Sequence, residues 1–205
     1  MGNRAVITTK KNWQSDGVGI YLHWNGGKDS VTAFLKYCEL KGFRSPSEDN
    51  YGWANLGQVI ANFFGGGSIG IDRLSNLDCD NFDNGVYIIE GWEIVDRKHF
   101  SGAEQDEYDL NEMLLEIDSR QPEHMQLGEF LKAEPVEVSE IKVGDTVYFL
   151  KWSGEVICEK VLGVGEDTFV NGTNVKGIPY IGYYGDKPED NINNYLIRGE
   201  YRRKK

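Results

Sequence analysis

Val18, Ile20, Leu22 and Trp24 alternate with Gly19, Tyr21 and His23. This period of two restricts the chain more than any other feature, because it marks a strand with one face buried and the other in water. Residues 4–9 precede it across a short polar stretch, which predicts a hairpin-like opening. Directly after it, Val31, Phe34, Leu35 and Cys38 recur at helical spacing. They predict a helix over 30–40, with Asp29 placed to cap its start and Gly42 to end it. A second helix is expected over 51–64, where Trp53, Leu56, Val59, Ile60, Phe63 and Phe64 make a broad apolar face that Gly65-Gly66-Gly67 terminates. Helices this apolar must bury a face, and the neighbouring strands are the available surface.

Short strands follow at 68–71, 85–90 and 93–96, with Asn84-Gly85 and Glu90-Gly91 as turns. An amphipathic helix over 109–118 turns Leu110, Met113, Leu114 and Ile117 inward, and Asp109 with Glu112 forms a capping-box-like start. A shorter helix is expected over 123–131, and Glu134-Pro135 reads as a boundary. From 138 the chain becomes rich in strand patterns, at 146–152, 156–164, 168–170, 179–184 and 195–197. Five short strands in so few residues predict a small barrel of the SH3-like kind. The expected fold is therefore α+β. An N-terminal domain of mixed helices and antiparallel strands spans 1–134, with an acidic helical segment at 104–131, and a small C-terminal SH3-like β-barrel with a basic tail spans 138–205.

The 25 aromatics (nine Phe, five Trp and eleven Tyr) give ample material for a core. No apolar run approaches the roughly 20 residues of a membrane span, so no membrane partner is expected. Cys38, Cys79 and Cys158 are too far apart for a zinc knuckle and odd in number, which points to a reducing cytoplasm. The net charge of −11 argues against non-specific DNA binding. Charge is also unevenly placed. Nine acids (Glu104, Asp106, Glu107, Asp109, Glu112, Glu116, Asp118, Glu123, Glu129) face only Arg120 between 104 and 129. At the C-terminus Arg198, Arg202, Arg203, Lys204 and Lys205 are opposed only by Glu200.

Three groups are candidates for chemistry. Gly26-Gly27-Lys28-Asp29-Ser30 lies between strand and helix and resembles the glycine loop of PP-loop ATP pyrophosphatases, with Asn25 where that family has serine. Glycines there would let backbone N–H groups approach a pyrophosphate. A PP-loop strand, however, is apolar on both faces, whereas 18–24 alternates, so a Gly-Gly turn followed by an Asp cap is the simpler reading. His23, Asn25, Lys28 and Asp29 are the residues a catalytic role would use, His23 as a general base. Asp78, Asp80 and Asp83 could hold Mg²⁺ or Ca²⁺ through oxygen ligands, although the spacing is not that of an EF-hand, and a solvated Asx turn accounts for it as well. The acidic residues Glu104, Asp106, Glu107, Asp109, Glu112 and Glu116 could imitate nucleic-acid phosphates and occupy a partner's basic groove; most acidic helices are simply solvated. Aromatics of the C-terminal part (Tyr148, Phe149, Trp152, Tyr180, Tyr183, Tyr184) could stack on RNA but more often form core.

The opening Met1-Gly2-Asn3-Arg4-Ala5-Val6-Ile7, the run Gly19 to Gly27, the helix end Asn62-Phe63-Phe64-Gly65-Gly66 and the segment Asp80 to Tyr87 resemble a family of proteins carried by phages, plasmids and integrative elements of Gram-positive bacteria. Accessory proteins of this provenance include anti-CRISPRs that act on the type II RNA-guided nuclease by blocking guide loading or trimming the guide. The resemblance implies an anti-defence protein in the bacterial cytoplasm, an inhibitor that binds the type II nuclease or its guide RNA. The alternative is a metal- or nucleotide-dependent enzyme, a guide-trimming RNase or nucleotide-binding protein, centred on Gly26 to Ser30.

Overall fold

Strand β1 (Ala5–Thr9) is buried along its whole length, because it lies between two neighbours and both of its faces are covered. β2 (Val18–Leu22) pairs with it antiparallel, Ile7 opposite Ile20, and β4 (Val86–Glu90) pairs with it parallel, Ile7 opposite Tyr87. β3 (Ile69–Arg73) and β5 (Glu93–Lys98) complete a five-stranded sheet in the order β3-β2-β1-β4-β5. The sheet is thus mixed rather than wholly antiparallel. The parallel pair arises because the two helices after β2 lead to β3 on its outer side, and residues 74–85 then carry the chain across to the far side of β1. The structure, a computed structural model, describes residues 2–151, 154–164, 168–170, 173–175, 179–181 and 197–204.

One sheet face carries Ile7, Ile20, Leu22, Tyr87 and Ile89, all buried. Helices α2 (Lys28–Leu40), α3 (Asn50–Phe63) and α4 (Leu110–Arg120) pack on one another in the same unit, and Gly57 of α3 sits against Ile20 and Ile71. Phe34 meets Phe63 edge-on at 5.2 Å. Polar pins fix the three helices: Tyr37 Oη donates to Asp118 Oδ1 at 2.7 Å, and Gln121 Nε2 donates to the Val59 carbonyl at 3.1 Å. The other face is closed by Val6, Leu74, Val86 and Ile88, with Trp13, Tyr21, Leu77 and Cys79 against them. Trp13 comes from α1 (Lys10–Ser15), a helix between β1 and β2 that the hairpin reading did not contain. Thr9 caps it through Asn12 N–H.

The chain divides into two units, Met1–Gln126 and Leu127–Lys205. The division falls ahead of Glu134-Pro135, because β6 (Glu134–Val136) pairs with β12 (Ile197–Arg203). In the second unit β7 (Thr146–Lys151), β8 (Val156–Val164) and β11 (Pro179–Ile181) join them in the antiparallel order β11-β8-β7-β12-β6. β9 (Thr168–Val170) and β10 (Thr173–Val175) form a separate hairpin. No closed barrel is seen among the described residues; the fold is α+β. The expected helix over 123–131 is a short turn at Glu123–Met125 and one turn, α5 (Glu129–Lys132). Tyr148 and Phe149 are core residues, while Trp152, Tyr183 and Tyr184 lie outside the described residues. No described helix is long and apolar enough to cross a membrane.

Much of the basic tail is structural. Arg202 is buried, donates to the Leu131 carbonyl at 2.9 Å and to Glu200 at 2.8 Å, and lies over the Phe130 ring. Arg203 pairs with Asp145 at 3.1 Å. Beside them, burial pushes the Tyr201 phenol up to about 12. A raised folded pKa gives stability that is complete below the unfolded value, about 10, and is lost as pH rises through the folded one. The chain is therefore expected to lose stability between about pH 10 and about pH 12, less steeply in Tyr201→Phe. Urea midpoints measured across that window check this; identical slopes in the two proteins would contradict it.

Candidate functional site

β2 ends at Leu22, so Trp24 leaves the sheet and is 46 % exposed, where alternation placed it inward. His23 is also exposed, its imidazole edge-on to the Trp24 indole at 4.9 Å. Asn25 takes a positive φ of 53°, and the chain then passes against the first residues of the sheet. Gly26 N–H donates to the Asn3 carbonyl at 2.8 Å, and the Gly26 carbonyl accepts from the Tyr87 hydroxyl at 3.0 Å. A Cβ on Gly26 would lie 2.7 Å from the Asn3 carbonyl oxygen and the Arg4 carbonyl carbon, closer than any side chain allows. Burial holds the Tyr87 phenol protonated far above the ordinary range, against the opposing pull of Arg97.

Gly27, not Asp29, is the N-cap of α2. A Cβ on Gly27 would stand 2.5 Å from the Gln105 carbonyl oxygen, so the acidic segment passes directly over the start of the helix. Asp29 lies in the first helical turn and fastens that segment. Its Oδ2 accepts from Glu107 N–H at 2.6 Å and Tyr108 N–H at 2.8 Å, and its Oδ1 from Ser30 N–H at 2.6 Å. A carboxylate at a helix N-terminus is favoured by the helix dipole. The polarity is the reverse of a phosphate loop: the loop contributes the anion and the acidic segment the amides. Lys28 is exposed. The four residues singled out for catalysis are close in the chain, but only Asp29 is committed to a defined network.

The other anchor of the acidic segment is Arg97 of β5. Its Nη1 donates to Glu104 Oε1 and Oε2 at 2.8 and 2.6 Å, its Nε to the Asn84 carbonyl at 2.9 Å, and its Nη2 to Asn84 Oδ1 at 2.8 Å. The guanidinium lies between the Tyr87 ring (4.4 Å) and the Phe100 ring (3.4 Å). Asn84, fully buried, also donates to Asn3. Glu104 is therefore an internal ion-pair partner, and Asp109 is the N-cap of α4, accepting from Asn111 and Glu112 N–H. Asp106, Glu107, Glu112 and Glu116 remain exposed; Glu116 lies 3.9 Å from Arg120. Between them Tyr108, Leu110 and Leu115 are also exposed, Leu110 at 42 %, although helical spacing placed it inward. An acidic ridge with apolar side chains set into it, pinned at Glu104 and at Glu107-Tyr108, is the result.

The aspartates at 78, 80 and 83 are organised by Asn81, which is buried and serves the turn alone. Its Oδ1 accepts from Asp83 and Gly85 N–H, and its Nδ2 donates to the Asp78 carbonyl at 3.1 Å. Asp83 is held by Arg4 at 2.6 Å, and Asp78 lies 3.6 Å from the same guanidinium. Asp80 is exposed. Among the described residues no group of three or more His, Cys, Asp or Glu side chains converges as a metal ion would need.

Sequence reading did not find Arg97, Asn84 or Tyr87. Arg97 sits on an edge strand, where an arginine ordinarily faces water, and Asn84 reads as half of an Asn-Gly turn. Comparison with family models, with curated proteins and with solved structures gives no match for this chain.

Proposed function

We propose that the protein is a mobile-element anti-defence protein that inhibits a type II RNA-guided nuclease by binding the nuclease at the surface that receives nucleic acid. The observation that carries this reading is the pinned ridge of Asp106, Glu107, Glu112 and Glu116 with exposed Tyr108, Leu110 and Leu115. A merely solvated acidic face needs neither apolar side chains at its surface nor two anchors. A binding surface uses both: apolar side chains supply contact area, and anchoring lowers the ordering cost of association. The channels of such nucleases are strongly positive, so an acidic ridge would be steered to them. The cytoplasm of the bacterial host and an SH3-like second unit belong to the same reading. The latter is supported by the antiparallel β8-β7-β12-β6 arrangement around Val147, Phe149, Val161 and Tyr201.

The deciding experiment incubates the purified chain with the nuclease and labelled guide RNA, with Mg²⁺ or with EDTA. Guide loading is expected to fall equally in both buffers and DNA cleavage to fall in Mg²⁺, where the nuclease is active, while the guide stays intact in both. Lys28→Ala is expected to inhibit as the parent does, since Lys28 lies outside the ridge. Asp29→Ala would not discriminate, because Asp29 holds the ridge itself. A shortened guide, abolished by EDTA or by Lys28→Ala, would replace this reading with the enzyme centred on Gly26 to Ser30.

A further inference from the structure

In the sheet order β3-β2-β1-β4-β5, β1 and β4 are parallel neighbours whose exits diverge. From β1 the chain turns toward β2, and from β4 it turns the opposite way toward β5. Divergence of this kind leaves a crevice beyond the carboxyl ends of the two strands, which is where open sheets with parallel strands take their ligands. A cavity of about 300 Å³ lies at that point, bounded by Thr9 at the end of β1 and by Ile89 and Glu90 at the end of β4. It is at the far end of the strands from the glycine loop, and it owes nothing to the acidic ridge.

The lining divides by chemistry. Lys10 and Lys11 form a cationic edge; both are exposed, and neither makes an ion pair among the described residues. Trp53, half-buried, supplies a flat wall, and its indole N–H has no acceptor among the described residues. Val18, Pro46 and Ile89 add apolar surface. The acids are not equivalent. Asp49 is committed to capping α3 and to Arg44 at 2.9 Å, and Glu48 accepts from Ser45 N–H at 2.8 Å. Glu90 makes no side-chain hydrogen bond among the described residues, so it is available to accept from ligand hydroxyls. The capping by Asp49 also means that the start of α3 is not the anion site; the lysines are.

We propose that this crevice binds a nucleoside monophosphate, with the phosphate on Lys10 and Lys11, the base against Trp53 and the ribose hydroxyls toward Glu90. The three functions match the three parts of such a ligand. The volume, at the low end of the roughly 300–1,000 Å³ of small-molecule sites, suits a mononucleotide and is too small for a dinucleotide. Stacking on an indole favours no particular base, so all four monophosphates are expected to bind.

Calorimetric titration of the full chain tests this with AMP, GMP, CMP and UMP, and with adenosine and inorganic phosphate as controls. AMP is expected to bind at least about tenfold more tightly than adenosine or phosphate, since a charge-assisted contact contributes on that scale. Lys10→Ala with Lys11→Ala is expected to weaken AMP by about tenfold or more while leaving adenosine unchanged. Both lysines are exposed, so the fold survives the change, which a thermal melt confirms. Trp53→Leu is expected to weaken AMP and adenosine alike. The proposal is overturned if no monophosphate binds at millimolar concentration, if phosphate alone binds as tightly as AMP, or if the lysine variant binds AMP as the parent does. Nuclease inhibition by the lysine variant is expected to match the parent, so failure here and failure of the inhibitor reading are separate results.

Discussion

Replacing Arg97 by methionine is expected to lower the stability of the first unit by about 3 kcal/mol, from the loss of charge-assisted hydrogen bonds and the desolvated acceptors left behind. Methionine keeps an apolar chain between Tyr87 and Phe100, so the cost falls on the polar wiring rather than on a cavity. Two of the orphaned acceptors are the carbonyl and side-chain oxygens of Asn84, which is wholly buried. Glu104 is more than a third exposed and re-solvates at little cost, which keeps the estimate below the upper end for a buried pair. Lysine at the same place restores the charge but not the planar fork, and is expected to recover less than half of the loss. Urea denaturation at neutral pH measures the change. Amide exchange at Glu107 and Tyr108 reports on the ridge, which would keep only its Asp29 anchor and exchange faster. A loss below about 0.5 kcal/mol, the range of an ordinary surface substitution, would mean that Arg97 is not the keystone of this end of the sheet.

How far the fold could be read from the sequence depended on whether the signal was local. The Ile20-Leu22 face of β2, the apolar faces of α2 and α3 and the Asp109 cap are local, and each lies where its pattern places it. Other local patterns misled: the alternation of β2 placed Val18 and Trp24 inward, yet both are exposed, and Gly19 between Val18 and Ile20 is buried. Leu110 has helical spacing, but it occupies the first turn of α4, before the helix reaches its partners, and so stays exposed. Asp29 has the position of a cap, yet Gly27 precedes it with extended backbone and the carboxylate turns to the Glu107 and Tyr108 amides 78 and 79 residues away. That contact is fixed by the parallel return of β4 beside β1, which no short window contains. The Asn84–Arg97–Glu104 chain is legible only once β4 and β5 are paired. The division of labour among the acids follows from the same topology: Glu104 and Asp109 are consumed internally, while Asp106, Glu107 and Glu112 stay exposed.

That division sets the second expectation. A variant carrying Asp106→Asn, Glu107→Gln and Glu112→Gln is expected to lose about a hundredfold or more in affinity for the type II nuclease, because each removes a charge that a positive channel would pair or steer. Glu116 is left in place, since Arg120 already stands near it. The backbone amides that bind Asp29 are untouched, so the ridge keeps its course. Removing like charges from one stretch also relieves repulsion, and the melting temperature is expected to hold or rise. A matched control, Asp80→Asn with Glu93→Gln and Glu123→Gln, changes the net charge equally at exposed positions off the exposed stretch of the ridge and is expected to bind as the parent does. Salt separates position from total charge further. The parent's affinity should fall steeply between low and physiological ionic strength, as screening within about 10 Å takes hold, and the ridge variant's much less. Equal losses in the two triple variants would reduce the effect to bulk charge, and unchanged affinity in the ridge variant would remove the acidic ridge from the interface altogether. An unchanged ridge variant whose binding fails when Tyr108, Leu110 and Leu115 are made polar would instead assign the contact to the apolar side chains set between the acids.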